Sequence, residues 1–423
     1  MSALKSIRLS ITKKINSNPL VRGSFVLLVF MNIFNFLNYL FQFITARWLS
    51  VTEYGFFIAL MNLAYFLSIP SDSIQLISSR NSSEIIKKEG VGGLKDFTIR
   101  MHKKLVKFSV LAFFIFVLGA FILSWFWKKD LLIIIFTGIL IFPVFLAPIN
   151  RGVLQARKKF KELGILFVVE ALVKIVVALG LLFLGLKIYG AMAGVILGLA
   201  FSFLISFFYT KDIFKSKIMP IKINGKYNYG FSVFFFLFII MAALSMDVII
   251  AARYLSPENL GLYSVGSLLG KTIFFATLPI AKAMFPFSSE EKNKKTKKVW
   301  VNSLKITFLI GMLAIIFFIM FPEFIVRILF SSKYLGISPY IIYLGISFLL
   351  LSLANINSYY FLANCSKEKK DYLALGLMLF GLIIAVALLI SFNSSILQYC
   401  ISLLIGILII FLISLINILK WKK

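Results

Sequence analysis

The chain has 423 residues, of which 61 % are apolar and 14 % charged, and it carries a formal net charge of +29. This composition excludes a soluble globular protein, because one core cannot bury so much apolar surface, and each bilayer crossing consumes ~20 apolar residues. The one histidine, His102, falls in a basic stretch expected to be a cytoplasmic loop, which excludes histidine-rich metal centres and classical triads, and two distant cysteines make no zinc cluster. No catalytic residue, metal or cofactor is therefore expected.

Residues 1–21 read as an interfacial amphipathic segment: Leu4, Ile7, Ile11 and Ile15 recur at helical spacing among Lys5, Arg8, Lys13 and Lys14, and Pro19 ends it. Twelve apolar runs bounded by charge clusters follow, at 23–48, 54–79, 105–127, 131–150, 162–185, 188–209, 229–254, 259–287, 300–321, 338–363, 371–391 and 396–419. The first run is too long and too polar for a cleaved signal sequence, so it is expected to remain as a span. The longest loop expected between runs is 80–104. The expected fold is an all-α polytopic membrane protein of twelve transmembrane helices in two homologous six-helix lobes. The N-lobe covers 22–209, a cytoplasmic linker 210–228 and the C-lobe 229–423.

The doubling is visible in the residues. Ala46-Arg47-Trp48-Leu49-Ser50, closed by Gly55, returns 206 residues later as Ala252-Arg253-Tyr254-Leu255-Ser256, closed by Gly261. A second echo sets Asn150 to Ala156 against Asn357 to Ala363. In a membrane protein a doubled half points to a path between the halves.

With the amino terminus taken as cytoplasmic, the cytoplasmic loops and tails hold about 34 of the 45 Lys and Arg, Arg151 among them. The outer face keeps Arg47, Lys128, Lys129, Lys187, Arg253, Arg327 and Lys333. The positive-inside rule thus accounts for the charge, and no nucleic-acid partner is needed. Trp48, Trp125, Trp127, Trp300 and Trp421 fall at run ends, as headgroup-zone anchors do. Both termini are placed inside. A disulfide between Cys365 and Cys400 is not expected, since one lies near the cytoplasmic surface and the other within the last run.

Polar side chains form stripes inside the apolar runs. Asn32, Asn35, Asn38, Gln42 and Thr45 share one face of the first span, and Asn62, Tyr65, Ser68, Asp72, Gln75 and Ser79 share one face of the second. Interhelical glue needs one or two such residues, and the length of the stripes favours the wall of a hydrated cavity. Ionised groups in the bilayer cost ~2.5 kcal/mol or more and are functional candidates by default. Lys174 and Lys271 count to near the midplane, one in each half, so they could face each other. Glu170, four residues before Lys174, is a candidate neutralising partner or half of a packing salt bridge. Asp247 sits in the outer third of the seventh span, and Lys282 near the cytoplasmic end of the eighth reads as snorkelling. Arg47 and Arg253 occupy equivalent outer ends; they are interfacial anchors or, with Glu53 and Glu258, an outer gate. Pro70 and Pro279 mark near-equivalent kinks, and Gly190, Gly194 and Gly198 form a small-residue packing face. The stretch Gly266 to Thr272 nearly spells a phosphate-binding loop, but it has three residues between its glycines where four are required, and it lies mid-helix.

Twelve spans in two halves, with the Ala-Arg-x-Leu element closing the first and seventh, resemble the polysaccharide-flippase branch of the multidrug/oligosaccharidyl-lipid/polysaccharide (MOP) exporter superfamily. The stretch from Asp247 to Tyr263 resembles that family's start of the second half. Gln155-Ala156 and Leu362-Ala363 resemble its fourth and tenth span endings. Within the superfamily the likeness is to O-antigen flippases of the Wzx type. The resemblance implies two lobes around a central cavity in the bacterial cytoplasmic (inner) membrane, with alternating access. Its implied cargo is an undecaprenyl-pyrophosphate-linked oligosaccharide for O-antigen or another surface polysaccharide, and its implied partners are the bilayer and the polysaccharide polymerase and chain-length machinery. A cation-coupled multidrug exporter of the same fold is the nearest alternative, although cationic cargo favours buried acids over lysines. A membrane polymerase or acyltransferase fits less well, lacking His-Asp and long outer-loop machinery.

Overall fold

A computed structural model describes residues 19–220, 230–290, 294–364 and 369–420. Most of the expected interfacial segment, the second half of the linker, Cys365 and Trp421 lie outside those residues. Among the described residues the chain is helical with no strand, in the order α1 (Pro19–Trp48), α2 (Val51–Leu67), α3 (Ile69–Trp127), α4 (Leu131–Gly138), α5 (Ile141–Ala156), α6 (Phe160–Phe183), α7 (Lys187–Tyr209) and α8 (Lys211–Lys215). There follow α9 (Gly230–Tyr254), α10 (Pro257–Glu290), α11 (Lys294–Met320), α12 (Pro322–Leu329), a 3-10 segment (Ser332–Tyr340), α13 (Ile341–Asn364), α14 (Lys369–Ser391) and α15 (Ile396–Lys420). Each apolar run finds its helix. Among the described residues, ten continuous helical stretches are long and apolar enough to cross a membrane. The second and third runs share one of those stretches, and the seventh corresponds to α9. This is a multi-span membrane protein.

Two expectations about the inner loops and the tryptophans are corrected. Residues 80–104 are not a loop: α3 runs through them and bends only at Gly90 (φ 67°, ψ −157°), a conformation that costs glycine little. Ile85 and Ile86 before the bend and Leu94 and Phe97 after it share an apolar cluster with Val153 and Ile213, so burial holds the segment helical. Trp127 and Trp300 are buried rather than interfacial; the Trp300 indole N–H donates to Asn357 Oδ1 at 3.0 Å and its ring stacks on Tyr360. Trp48 and Trp125 are exposed.

The chain divides into two compact units, one of Met1–Thr45 with Leu67–Gly225, the other of Ala46–Phe66 with Lys226–Lys423. Within each unit the same pairings recur. In the first, α3 packs on α5, α5 on α7 and α6 on α7; in the second, α10 packs on α13, α13 on α15 and α14 on α15. A single polar contact marks the equivalence. Asn150 Nδ2 donates to Ser206 Oγ at 2.7 Å in the first unit, and Asn357 Nδ2 to Ser414 Oγ at 2.9 Å in the second. The second sequence echo is thus a conserved helix tie inside one molecule.

The first echo is a helix stop and restart. Leu49 and Leu255 are buried, and the following serines cap new helices. Ser50 Oγ accepts from Glu53 N at 3.2 Å while Glu53 Oε2 accepts from Ser50 N at 3.0 Å, a reciprocal capping box. Ser256 Oγ accepts from Asn259 N at 3.3 Å, with Pro257 in the first helical position. Both copies lie in the second unit and touch each other. A Cβ on Gly55 would fall 2.6 Å from Gly261 N, and one on Gly261 would overlap Val51 O. Only glycine permits that approach. Gly266 and Gly270 serve a similar end inside α10, where a Cβ would strike Leu344 or Phe348 of α13.

Candidate functional site

In the first unit the site is organised around α6. Glycines bring α7 close against it: a Cβ on Gly194 would lie 2.6 Å from Lys174 O, and one on Gly198 2.7 Å from Glu170 O. This packing fixes both ionisable residues against the bundle. Lys174 is 6 % exposed, and its Nζ donates to Asn38 Oδ1 of α1 and lies 4.7 Å from the Phe41 ring centroid. An amide oxygen and an aromatic face stabilise an ammonium without cancelling its charge. No carboxylate among the described residues lies within 4.0 Å of it.

Glu170 is therefore not the partner of Lys174. It is taken by Arg151 Nη2, which also donates to Ser202 Oγ at 3.0 Å, while the guanidinium carbon sits 4.5 Å from the Phe167 ring centroid. Arg151, counted among the cytoplasmic loop charges by sequence, is 6 % exposed inside α5. Nothing in its immediate sequence marks it, since its partner is 19 residues away on another helix. Along α1, Asn32 and Asn35 are exposed and Asn38 half-buried, whereas Gln42 and Thr45 are buried. Gln42 Oε1 is buried without a hydrogen-bond partner among the described residues. Asp72 is exposed near the start of α3, and Gln75 Nε2 donates to Gln155 Oε1 at 3.0 Å.

The second unit gathers Asp247, Lys271 and Asn62. Lys271 Nζ donates to Asp247 Oδ1 at 3.0 Å and to Asn62 Oδ1 at 2.9 Å. The other carboxylate oxygen accepts from Ser267 Oγ at 2.5 Å and Tyr263 OH at 3.2 Å. Asp247 is 0 % exposed and Lys271 5 %. Counting residues from the turn separates the two in depth, yet helical side chains lean towards the N-terminus of their own helix. In the consecutive helices α9 and α10, that lean aims Asp247 and Lys271 at each other. A cavity of about 30 Å³ adjoins them, lined by Asn62, Tyr65, Ser245, Ser267 and Lys271, enough for one water-sized group.

At the C-terminal end of α1, Arg47 donates to the Ile328 carbonyl rather than to Glu53, whose carboxylate closes the Ser50 capping box. Lys333 Nζ donates to Leu49 O at 2.5 Å and Tyr334 OH to Ala46 O at 3.0 Å, satisfying carbonyls that a helix end leaves open. Arg253 is half-buried in the last turn of α9, and Lys282 is exposed. Among the described residues no three His, Cys, Asp or Glu gather as a metal site would require.

A family profile described as "Polysaccharide biosynthesis protein" matches residues 44–339. No curated protein matches. Among solved structures, an inward-facing multidrug resistance MATE family transporter of the MOP superfamily aligns with a TM-score of 0.74 at 12 % identity, over 90 % of this chain and 94 % of that one. An outward-facing structure of such a transporter gives 0.63 at 15 %, over 96 % and 94 %. The lipid II flippase MurJ, in an inward closed conformation, gives 0.66 at 17 %, over 92 % and 87 %. The fold is that of the MOP superfamily.

Proposed function

The chain belongs to the polysaccharide biosynthesis protein family, and from that membership we propose that it is a flippase for an undecaprenyl-pyrophosphate-linked oligosaccharide. It works by alternating access in the bacterial inner membrane, with both termini cytoplasmic, and delivers an O-antigen or related repeat unit to the polymerase machinery. A lipid II flippase of the same fold lends the proposal support. One observation carries it: Lys174 is a buried ammonium held by an amide and a ring, with no carboxylate within 4.0 Å among the described residues.

A cation without a counter-charge attracts a dense anion and weakly repels cationic drugs. In this reading Lys174 meets the pyrophosphate and displaces little, because Asn38 and Phe41 are neutral. Asn32 and Asn35 on the same helix offer amides to sugar hydroxyls, with Gln75 and Asp72 contributing from α3. Lys271 enters as a hydrogen-bond donor in a net-neutral pair with Asp247. Arg47 and Arg253 mark the outer gate, at the ends of the duplicated element. The sugar cannot cross hydrocarbon with its hydroxyls unpaired, so polar walls of this kind are a physical requirement. The multidrug alternative would need a buried acid free to meet a cation; the candidate, Asp247, already holds Lys271.

The test is a charge series at one position. Lys174→Arg should retain much of the transport, Lys174→Ala should lose it, and Lys174→Glu should lose it most completely. Lipid-linked oligosaccharide would accumulate on the cytoplasmic leaflet at normal protein abundance. Wild-type transport by the Ala and Glu variants would overturn the proposal.

A further inference from the structure

Lys174 and Glu170 are four residues apart on α6, a spacing at which opposite charges pair readily on a helix face. They are not paired here, and the reason is on the neighbouring helices. Arg151 Nη2 contacts Glu170 and donates to Ser202 Oγ at 3.0 Å, while Ser202 Oγ donates to Leu166 O at 2.9 Å. The Phe167 ring, 4.5 Å away, supports the guanidinium from another side. Arg151 is thus held at three points and keeps the carboxylate to itself. A planar guanidinium with several fixed donors competes for a carboxylate better than a mobile ammonium does.

We infer that Arg151 is a positioning residue that sequesters Glu170 and so leaves the Lys174 ammonium without a carboxylate partner, available to the anionic head of the substrate. This rests on the anion-binding reading of Lys174 above. Without Arg151, Glu170 swings one helical turn along α6 and pairs with Lys174, as the spacing allows. The site then changes from a net cation to a neutral pair, and its attraction for a dense anion is lost.

The experiment measures binding of undecaprenyl pyrophosphate to the purified full-length protein in detergent, per folded molecule, with undecaprenol as the uncharged control. Arg151→Gln should weaken pyrophosphate binding roughly tenfold or more, the order expected for losing a nearby unit charge. Glu170→Gln should bind at least as tightly as the wild type. The double variant Arg151→Gln with Glu170→Gln should regain wild-type affinity, because no carboxylate remains to occupy Lys174. If the Arg151–Glu170 pair serves packing alone, the single variants lose thermal stability, and affinity per folded molecule is equal in all four proteins. That result would overturn the inference. If the wild type fails to prefer undecaprenyl pyrophosphate over undecaprenol, or Lys174→Gln binds as well as the wild type, the anion-binding reading itself has failed, and the two failures are told apart by the Lys174 variant.

Discussion

The two units each bury one lysine against the same position of their leading helix, and they treat it in opposite ways. Phe41 on α1 and Asp247 on α9 stand 206 residues apart, the register of the duplicated element. Phe41 offers Lys174 a ring face at 4.7 Å, whereas Asp247 offers Lys271 a carboxylate oxygen at 3.0 Å. The second pair is saturated: Ser267 and Tyr263 occupy the remaining oxygen, and Asn62 takes a further ammonium donor. A duplicated scaffold has diverged into a charged site and a neutral one. Burial alone therefore does not distinguish the two lysines, and the charge left over after pairing does.

The contrast predicts different kinds of damage. Lys271→Ala would leave the carboxylate of Asp247 buried without its counter-ion, a loss of about 3–5 kcal/mol for a broken buried pair. Thermal unfolding in detergent should show a large drop, and Asp247→Asn added to Lys271→Ala should recover much of it. Lys174→Ala should do the reverse, abolishing transport with stability unchanged or raised, since an ammonium costing ~2.5 kcal/mol in the bilayer has been removed. If Lys174→Ala unfolds the protein while Lys271→Ala leaves it stable, the comparison has been drawn the wrong way round.

Smaller effects probe the duplicated element. Gly261→Ala places a methyl against the Val51 carbonyl, and such overpacking costs about 1–3 kcal/mol. The seam between the starts of α2 and α10 should loosen, read as greater reactivity of a cysteine introduced at the buried Ser267 towards an impermeant thiol reagent added to cells. Next, Ser50→Ala should cost about 1 kcal/mol, typical of a lost N-cap. Ser256→Ala should cost less, because its helix has the longer 3.3 Å cap contact and no return bond from a glutamate is present there.

The smallest effect lies at the α5–α8 junction, where Arg157 Nη1 donates to Asp212 Oδ1 at 3.0 Å. Arg157 holds the Asp212 carboxyl below its ordinary range. A depressed carboxyl adds stability that is complete above its unfolded value, about 3.9, and is lost as pH falls through the lower folded value. Acid titration of unfolding should show Arg157→Gln converging with the wild type only at strongly acidic pH. The separation at neutral pH should stay near or below about 1 kcal/mol, because the Asp212 side chain is about half exposed to solvent.

What the sequence determined by itself was whatever depends on near neighbours. Hydropathy marked twelve runs because each must satisfy the same bilayer thickness, and every run is helical, the second divided between α2 and α3 and the fourth between α4 and α5. The serine in each copy of the repeat could be read as local punctuation, since a cap bonds three residues onward. Lys174, Lys271, Asp247 and Asn38 were likewise legible as polar groups in apolar surroundings. Their partners were not. Glu170, one turn from Lys174, was the local choice, and Arg151 on another helix took it instead. Asp247 and Lys271 seemed separated in depth until the lean of their side chains closed the gap. Residues 80–104 looked like a loop because charge dominates their composition, yet Leu94 and Phe97 found Val153 and Ile213 to bury against. Ion pairing and burial inside a bundle are decided by which helix faces meet, and only the tertiary packing contains that information.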